Sequence, residues 1–541
     1  MGDVVAFTVD TPPSGRPDSF AISPDGRELA FSAIGKDGQE RLWVRSLAST
    51  KARVLPGTEG AMLPFWSPDS RTIAFFLSRE LKRIDVSGGA SQTICHTAGP
   101  PAGGTWSSQQ VILFGVTRGS GIVRVPAAGG EPEPVTTLRG GTIHMWPALM
   151  PDGRHFIYLA SAGPDSQLMW RALDSSDERV VRKINSKAFY SQTGHLLFSL
   201  GGTIVAQRFD AARGIVSGSP VQVAEETIQI YTQSALAVSS SSGVIAHRAG
   251  QSIAVAQLSW IDRAGKTLST VGGVADYRNP SIDPAGERIV ANAATPADVW
   301  LLDSRRGVTS RVTFDPAADT DPIFSPDGRW VAFYSNRQPP GLYRKASNGA
   351  GADELLAATG PGTFPRDWSL DGRFVLYDAA GGMMWCLPTG GDRKPFRYPP
   401  EAPTGGQVTS GHFSPDAHWV AYVSDEAGRP EIFVQDFPAK GAKFQVSVDG
   451  GIEPRWRRDG RELYFVAGDG RMMTVDVETA PTFRLGVPRP LFQTRLNMLG
   501  VPSRRYGVSA DGQRFLMNVP VGPDAATPIT VIMNWASGMK P

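Results

Sequence analysis

The chain has 541 residues, 41% of them apolar, and its 54 basic and 52 acidic residues leave a formal charge of +2. That length exceeds what one hydrophobic core supports, so two or more domains are expected. The charges are mixed along the chain without a basic block, which argues against a nucleic-acid footprint.

The first residues, Met1-Gly2-Asp3-Val4-Val5-Ala6-Phe7, have neither a basic nor an apolar signal region, and no signal peptide is expected. No apolar run reaches the roughly 18 residues of a spanning helix, so no membrane insertion by this chain is expected. Val4 to Val9 is an early extended run outside any hairpin. It is available to close a ring and hide an edge that would otherwise aggregate.

From there one pattern recurs at spacings of roughly 40 to 50 residues, a period that means stacked supersecondary units. An apolar run ends in Ser-Pro-Asp-Gly or a degraded copy, and a second strand returns. Clear copies turn at Asp25, Asp69, Asp152, Asp327, Asp371, Asp416, Asp459 and Asp511, with degraded ones near Gln109, Thr193, Ser242 and Ala285. In the eighth unit Ile323-Phe324 ends a strand, Ser325-Pro326-Asp327-Gly328 turns, and Arg329 to Tyr334 returns. Pro presets φ, Asp accepts a local backbone bond, and Gly takes the position at φ > 0. Trp330, Ala332 and Tyr334 alternate with Val331 and Phe333, so both faces are apolar, as for a sheet between two others. A third strand follows at Gly341 to Arg344, and then a polar outer one. No segment shows a 3.6-residue apolar period over three turns.

Four short strands per unit are the arithmetic of a β-propeller blade, and propellers carry about four to eight blades. The expected fold is therefore all-β: tandem propellers of four-stranded antiparallel blades. Six plus six is the simplest division, five plus seven the next. The six-plus-six division gives a first ring over 1–275 and a second over 276–541, joined after Thr270-Val271-Gly272-Gly273. Ile529 to Trp535 is a second spare strand for closing a ring. Cys95 and Cys386 fall in different rings, too far apart for the Cα separation of about 7 Å that a disulfide allows, and read as free thiols.

The Ser-Pro-Asp-Gly-Arg units, with Tyr334-Ser335-Asn336-Arg337 after one of them, resemble the WD40-like repeat of TolB-type propellers. Val423 to Val434, Gly450 to Gly460 and the closing Asn534-Trp535 are similar to the propeller region that follows the kinase domain in bacterial eukaryotic-like serine/threonine kinases. So is His144-Met145-Trp146-Pro147 leading into Met150 to Phe156. The resemblance implies six-bladed rings that bind a protein, peptide or other ligand, and no catalytic residue. It implies a periplasmic or extracytoplasmic location if a membrane-anchored kinase precedes the chain, and a cytoplasmic one otherwise.

Catalytic motifs were sought along the chain. A kinase Gly-rich loop, strand lysine, His-Arg-Asp and Asp-Phe-Gly are missing, as is a Gly-x-Ser-x-Gly elbow. Ala264-Gly265-Lys266-Thr267 looks like the end of a phosphate loop, but Trp260 stands where its first glycine belongs, and the segment reads as a turn between strands. The seven histidines show no zinc spacing. Asp315, Asp319 and Asp321 would suit Ca²⁺, yet no calcium-loop glycine accompanies them, and aspartates beside prolines more often make turns. No cofactor is expected. The leading function is a non-enzymatic binding or scaffold module with a protein or peptide partner; the alternative is a metal-assisted hydrolase or lactonase with a channel-mouth site.

In a propeller the inner strands line a central channel, where polar groups from several blades can converge on a ligand. Six residues before each turn in the second ring stand Asn279, Asp321, Pro365, Ser410, Glu453 and Arg505, with Arg366 beside Pro365. Asn279, Asp321, Arg366, Ser410, Glu453 and Arg505 are the candidate ligand-binding residues of this ring, and His144 and Trp146 those of the first. The second-ring residues are expected in a solvent-exposed funnel, dispensable for the fold; the same positions also suit strand caps around a water-filled channel. The first-ring equivalents include Leu63 and Trp146 with His144 nearby, a more apolar mouth.

Overall fold

A computed structural model of the chain describes residues 2–14, 16, 18–35, 39–77, 79–117, 121–138, 142–161, 165–224, 229–230, 233–234, 236–238, 242–248, 256–275, 277–293, 297–379, 381–401, 407–479, 482–494, 496, 504–520 and 528–538. The eighth unit is built as its sequence dictates, from strands Asp319–Phe324, Trp330–Ser335, Gly341–Ala346 and Glu354–Ala357 in antiparallel order. At its turn the Ser325 hydroxyl donates to Asp327 Oδ1 at 2.5 Å and accepts from Trp330 N at 2.9 Å. Asp327 Oδ1 also accepts from Arg329 N at 3.0 Å. Ala332, Tyr334, Val331 and Phe333 are all buried, because neighbouring blades cover both faces.

Gly328 and Gly372 lie at φ 69° and 76°, the left-handed region that closes the hairpin. A Cβ on Gly372 would meet only Pro326 Cγ, at 3.8 Å, so Gly372→Ala isolates the backbone cost. We expect it to lower stability by about 1 kcal/mol or more, with the fold intact. An unchanged denaturant midpoint would refute this account of the turn.

The described residues form twelve such blades, and the only helix among them is the 3₁₀ turn Trp535–Gly538. No helix is long and apolar enough to cross a membrane. In one ring the inner strands are Phe20–Ile22, Met62–Trp66, Pro101–Trp106, Ile143–Leu149, Ala188–Ser191 and Leu236–Val238, each beside the next and the last beside the first. In the other they are Arg278–Ile282, Asp319–Phe324, Phe364–Trp368, Val408–Phe413, Gly451–Trp456 and Tyr506–Val508, closed in the same way. The architecture is two six-bladed propellers, not five plus seven.

The chain does not divide at 275/276. It separates into one unit of Met1–Ile253 with Pro523–Pro541 and another of Ala254–Gly522. The sixth blade of the first ring runs Leu236–Val238, Ile245–Arg248, Ile529–Met533, Val5–Val9. Both spare strands thus close the first ring, and the second ring's sequence is inserted ahead of the closing strand. The hairpin Ala256–Asp262/Thr267–Ala275, which contains Thr270 to Gly273, supplies the outer half of the second ring's last blade and pairs with Arg514–Pro520. Ala264 to Lys266 lie in that hairpin's turn, as the sequence implied.

Candidate functional site

Most inner strands of the second ring carry a β-bulge that puts a residue in the left-handed region. Asn279, Asp321, Ser410 and Glu453 lie there at φ 53–59°, beside register shifts in their strands. Leu63, Trp146 and Gly103 do the same in the first ring. The position six residues before the turn is therefore a bulge inside the strand, which re-aims the side chain, and it does not ring a mouth. A non-glycine residue held there costs on the order of 1–3 kcal/mol, supplied by its surroundings.

The expected exposed funnel is corrected by burial: Asp321, Arg366 and Glu453 are 5%, 4% and 2% exposed. The six candidates belong to a buried polar network along the channel. Arg366 Nε donates to Asp378 Oδ2 at 2.6 Å, and its Nη1 lies 3.4 Å from Asp321 Oδ1. Ser410 N donates to Asp378 at 3.1 Å. Asn279 Nδ2 donates to Asn292 Oδ1, which also accepts from Asp321 N. Asn279 Oδ1 accepts from Arg504 N at 2.8 Å, and Arg505 pairs with Glu453. Burial pushes the Asp321 carboxyl up, partly offset by Arg366 and Arg504. Burial acts to lower the pKa of Arg366, but Asp378 and Asp321 more than offset it and hold its charge. Paired and hydrogen-bonded, these groups support the fold.

The calcium candidates do not converge. Asp319 and Asp315 both face Arg337, at 3.0 and 3.6 Å, while Asp321 turns to Arg366. Among the described residues no three His, Cys, Asp or Glu side chains group as metal ligands.

In the first ring His144 and Trp146 are both buried but do not form one site. His144 Nδ1 lies 2.8 Å from Thr136 Oγ1, its ring packs against Tyr158, and burial lowers its pKa. Trp146 covers Gly103, where a Cβ would come within 2.3 Å of the indole, and Lys187 Nζ lies 5.3 Å from its ring centroid.

Residues missed by the six-back count form the open part of the second ring's channel. A cavity of about 210 Å³ opens at the Ser-Pro-Asp-Gly end, and every blade of that ring contributes wall. Asp367, His412, Arg455 and Arg504 line it, together with Pro326, Leu370 and Pro415 and with Arg457 and Arg458 from the turns. Asp367 Oδ2 accepts from Phe413 N at 2.8 Å, and Oδ1 lies 3.6 Å from His412 Nε2. Burial raises the Asp367 carboxyl to about 7, against the pull of Arg455 and Arg504. Burial and the same two arginines push His412 well below its ordinary value, leaving it neutral. Burial and then Arg455 lower Arg504 to about 9.

Arg504 and Arg455 are 5% and 6% exposed, yet neither has a carboxylate within ion-pair distance among the described residues. Arg504 Nη1 donates to Pro322 O at 2.7 Å, and its Nη2 to Pro365 O and Arg366 O at 3.1 and 3.0 Å. Arg455 Nη1 donates to Pro454 O at 2.8 Å, and its guanidinium lies 5.8 Å from the Tyr506 ring centroid. Two fixed guanidiniums at the base of a cavity can hold an acceptor-rich group.

No family model and no characterised protein sequence matches the chain. Among solved structures, one assigned to TolB from Agrobacterium tumefaciens aligns over 49% of this chain and 99% of its own, at 17% identity and a TM-score of 0.40. Tricorn protease aligns over 93% of this chain at 13% identity and a TM-score of 0.31; this chain spans 51% of its length. On its own strand pairing, the chain is a tandem of two six-bladed β-propellers.

Proposed function

We propose that the chain is a non-catalytic binding module that recognises a protein or peptide partner through the turn-side mouth of the second ring. The observation that carries this is the cavity of about 210 Å³ to which all six blades contribute, with apolar and polar groups together in its wall. Convergence of a few polar groups in one concave, partly apolar place is the usual form of a recognition site. The second half's similarity to propeller regions of bacterial kinases supports a sensing role within an envelope or signalling protein. A metal-assisted hydrolase would need a ligand cluster, and the described residues present none.

Ala510 is an exposed turn residue on the rim of this cavity, where a large side chain obstructs the mouth without entering the core. Ala510→Trp is expected to reduce capture of partners from a cell-envelope extract at least tenfold. Pro68→Trp, the matching change in a first-ring turn, is expected to leave capture intact. Identical partner sets for the parent and Ala510→Trp would refute the assignment.

A further inference from the structure

We infer that the base of the second ring's channel is a carboxylate-binding site, in which Arg455 and Arg504 together seat a single carboxylate. This rests on the recognition site being the turn-side mouth, and it specifies the chemistry bound there. The first observation is a contrast within one channel. Arg366 and Arg505 are each matched by carboxylates, Asp321 and Asp378 for one and Glu453 for the other. Arg455 and Arg504, also buried and both in the cavity lining, have only carbonyl hydrogen-bond partners among the described residues. Burying a guanidinium is costly unless an anion completes it, and here Arg455 lies close enough to disfavour the Arg504 charge.

The second observation is how rigidly the pair is held. Three carbonyls fix the Arg504 fork, while Asn279 holds its backbone N–H. Pro454 O and the Tyr506 ring fix Arg455. Arg504 has given both N–H groups of Nη2 and one of Nη1 to those carbonyls, so it offers its charge and its remaining single donors, while Arg455 has given only Nη1 and its Nε–Nη2 edge can take an oxygen acid with little loss of entropy. The third is charge balance. Once the matched pairs are set aside, Arg455 and Arg504 face the Asp367 carboxyl, and His412 is neutral. With Arg458 also in the lining and bonded to Pro284 O, the cavity is net positive whether or not Asp367 is ionised, which suits an anion. Pro326, Leu370 and Pro415 in the wall suit a carbon skeleton behind a carboxylate.

The carboxylate can belong to a free organic acid or to an acidic residue of a partner, and matched probes separate the two. By calorimetry on the intact chain at fixed ionic strength, benzoate is expected to bind at least tenfold more tightly than benzamide if free acids fit. An acetylated, amidated hexapeptide with one central Glu should exceed its Gln analogue by the same factor if a partner's side chain fits. Either preference supports the inference. Arg455→Gln is expected to abolish it, and Arg455→Lys, which keeps the charge but loses the fork, to leave it partial. If Arg455→Gln does not fold, the parent's matched pairs and Arg455→Lys decide. Neutral probes binding as well as charged ones, no binding by either pair, or tighter binding of inorganic phosphate or sulfate would each overturn it. Those outcomes leave the mouth assignment to stand or fall on Ala510→Trp.

Discussion

Arg366→Ala is expected to destabilise the second ring by about 3–5 kcal/mol, the usual cost of removing one partner from a buried ion pair. The side chain is 4% exposed and stands between Asp321 and Asp378, so its loss leaves two buried carboxylates without a counter-charge. At roughly 2–4 °C per kcal/mol for a domain of this size, the ring's transition should fall by about 10 °C. Arg366→Lys restores the charge but not the two-sided fork, and should recover part of the loss. Scanning calorimetry reads the effect directly. A shift of only a few degrees would return these residues to the role of an exposed, dispensable funnel.

The second large effect concerns chain closure. Ending the chain after Gly522 removes Ile529–Met533, the strand between Val5–Val9 and Ile245–Arg248. Ile529 and Val531 are fully buried in a core shared with Val9, Phe20, Leu29 and Ala246. Burying each such side chain contributes about 1.5–3 kcal/mol, before the strand's hydrogen bonds on both edges are counted. With Ile532, buried in the neighbouring cluster, three such side chains approach the whole stability of a domain, about 5–15 kcal/mol. The first ring is therefore expected not to fold in the truncated chain, while Ala254–Gly522 retains its own transition and resists proteolysis. Loss of both transitions, or of neither, would contradict the nested closure.

The blades were legible because their signal is local: Ser-Pro-Asp-Gly, an apolar return and a fixed period describe one hairpin at a time. Which ring a hairpin joins is not local. Ala256–Asp262 and Thr267–Ala275 look the same in sequence whether they end one ring or begin another, and only pairing with Arg514–Pro520 decides. The six-back count found a real structural position, the bulge, but not its burial, since exposure depends on how six blades converge. Four residues before the turn, Asp367, His412 and Arg455 stand in three consecutive blades, where the other blades have Ser281, Ile323 and Gly507. That cluster marked the cavity and was readable. So were Asn292 and Asp378, polar residues seven past their turns in otherwise apolar strands. Arg504 carried no such signal, because its role depends on carbonyls from blades far away in sequence.

The central claim is that the second ring's channel takes a carboxylate between Arg455 and Arg504. A crystal of the intact chain soaked with 4-bromobenzoate tests it most directly, because the bromine's anomalous signal marks the ligand. The account predicts a bromine peak among Pro326, Leu370 and Pro415, with the carboxylate toward both guanidiniums. Bromine found only elsewhere on the chain, or a carboxylate turned away from the two arginines, would contradict it.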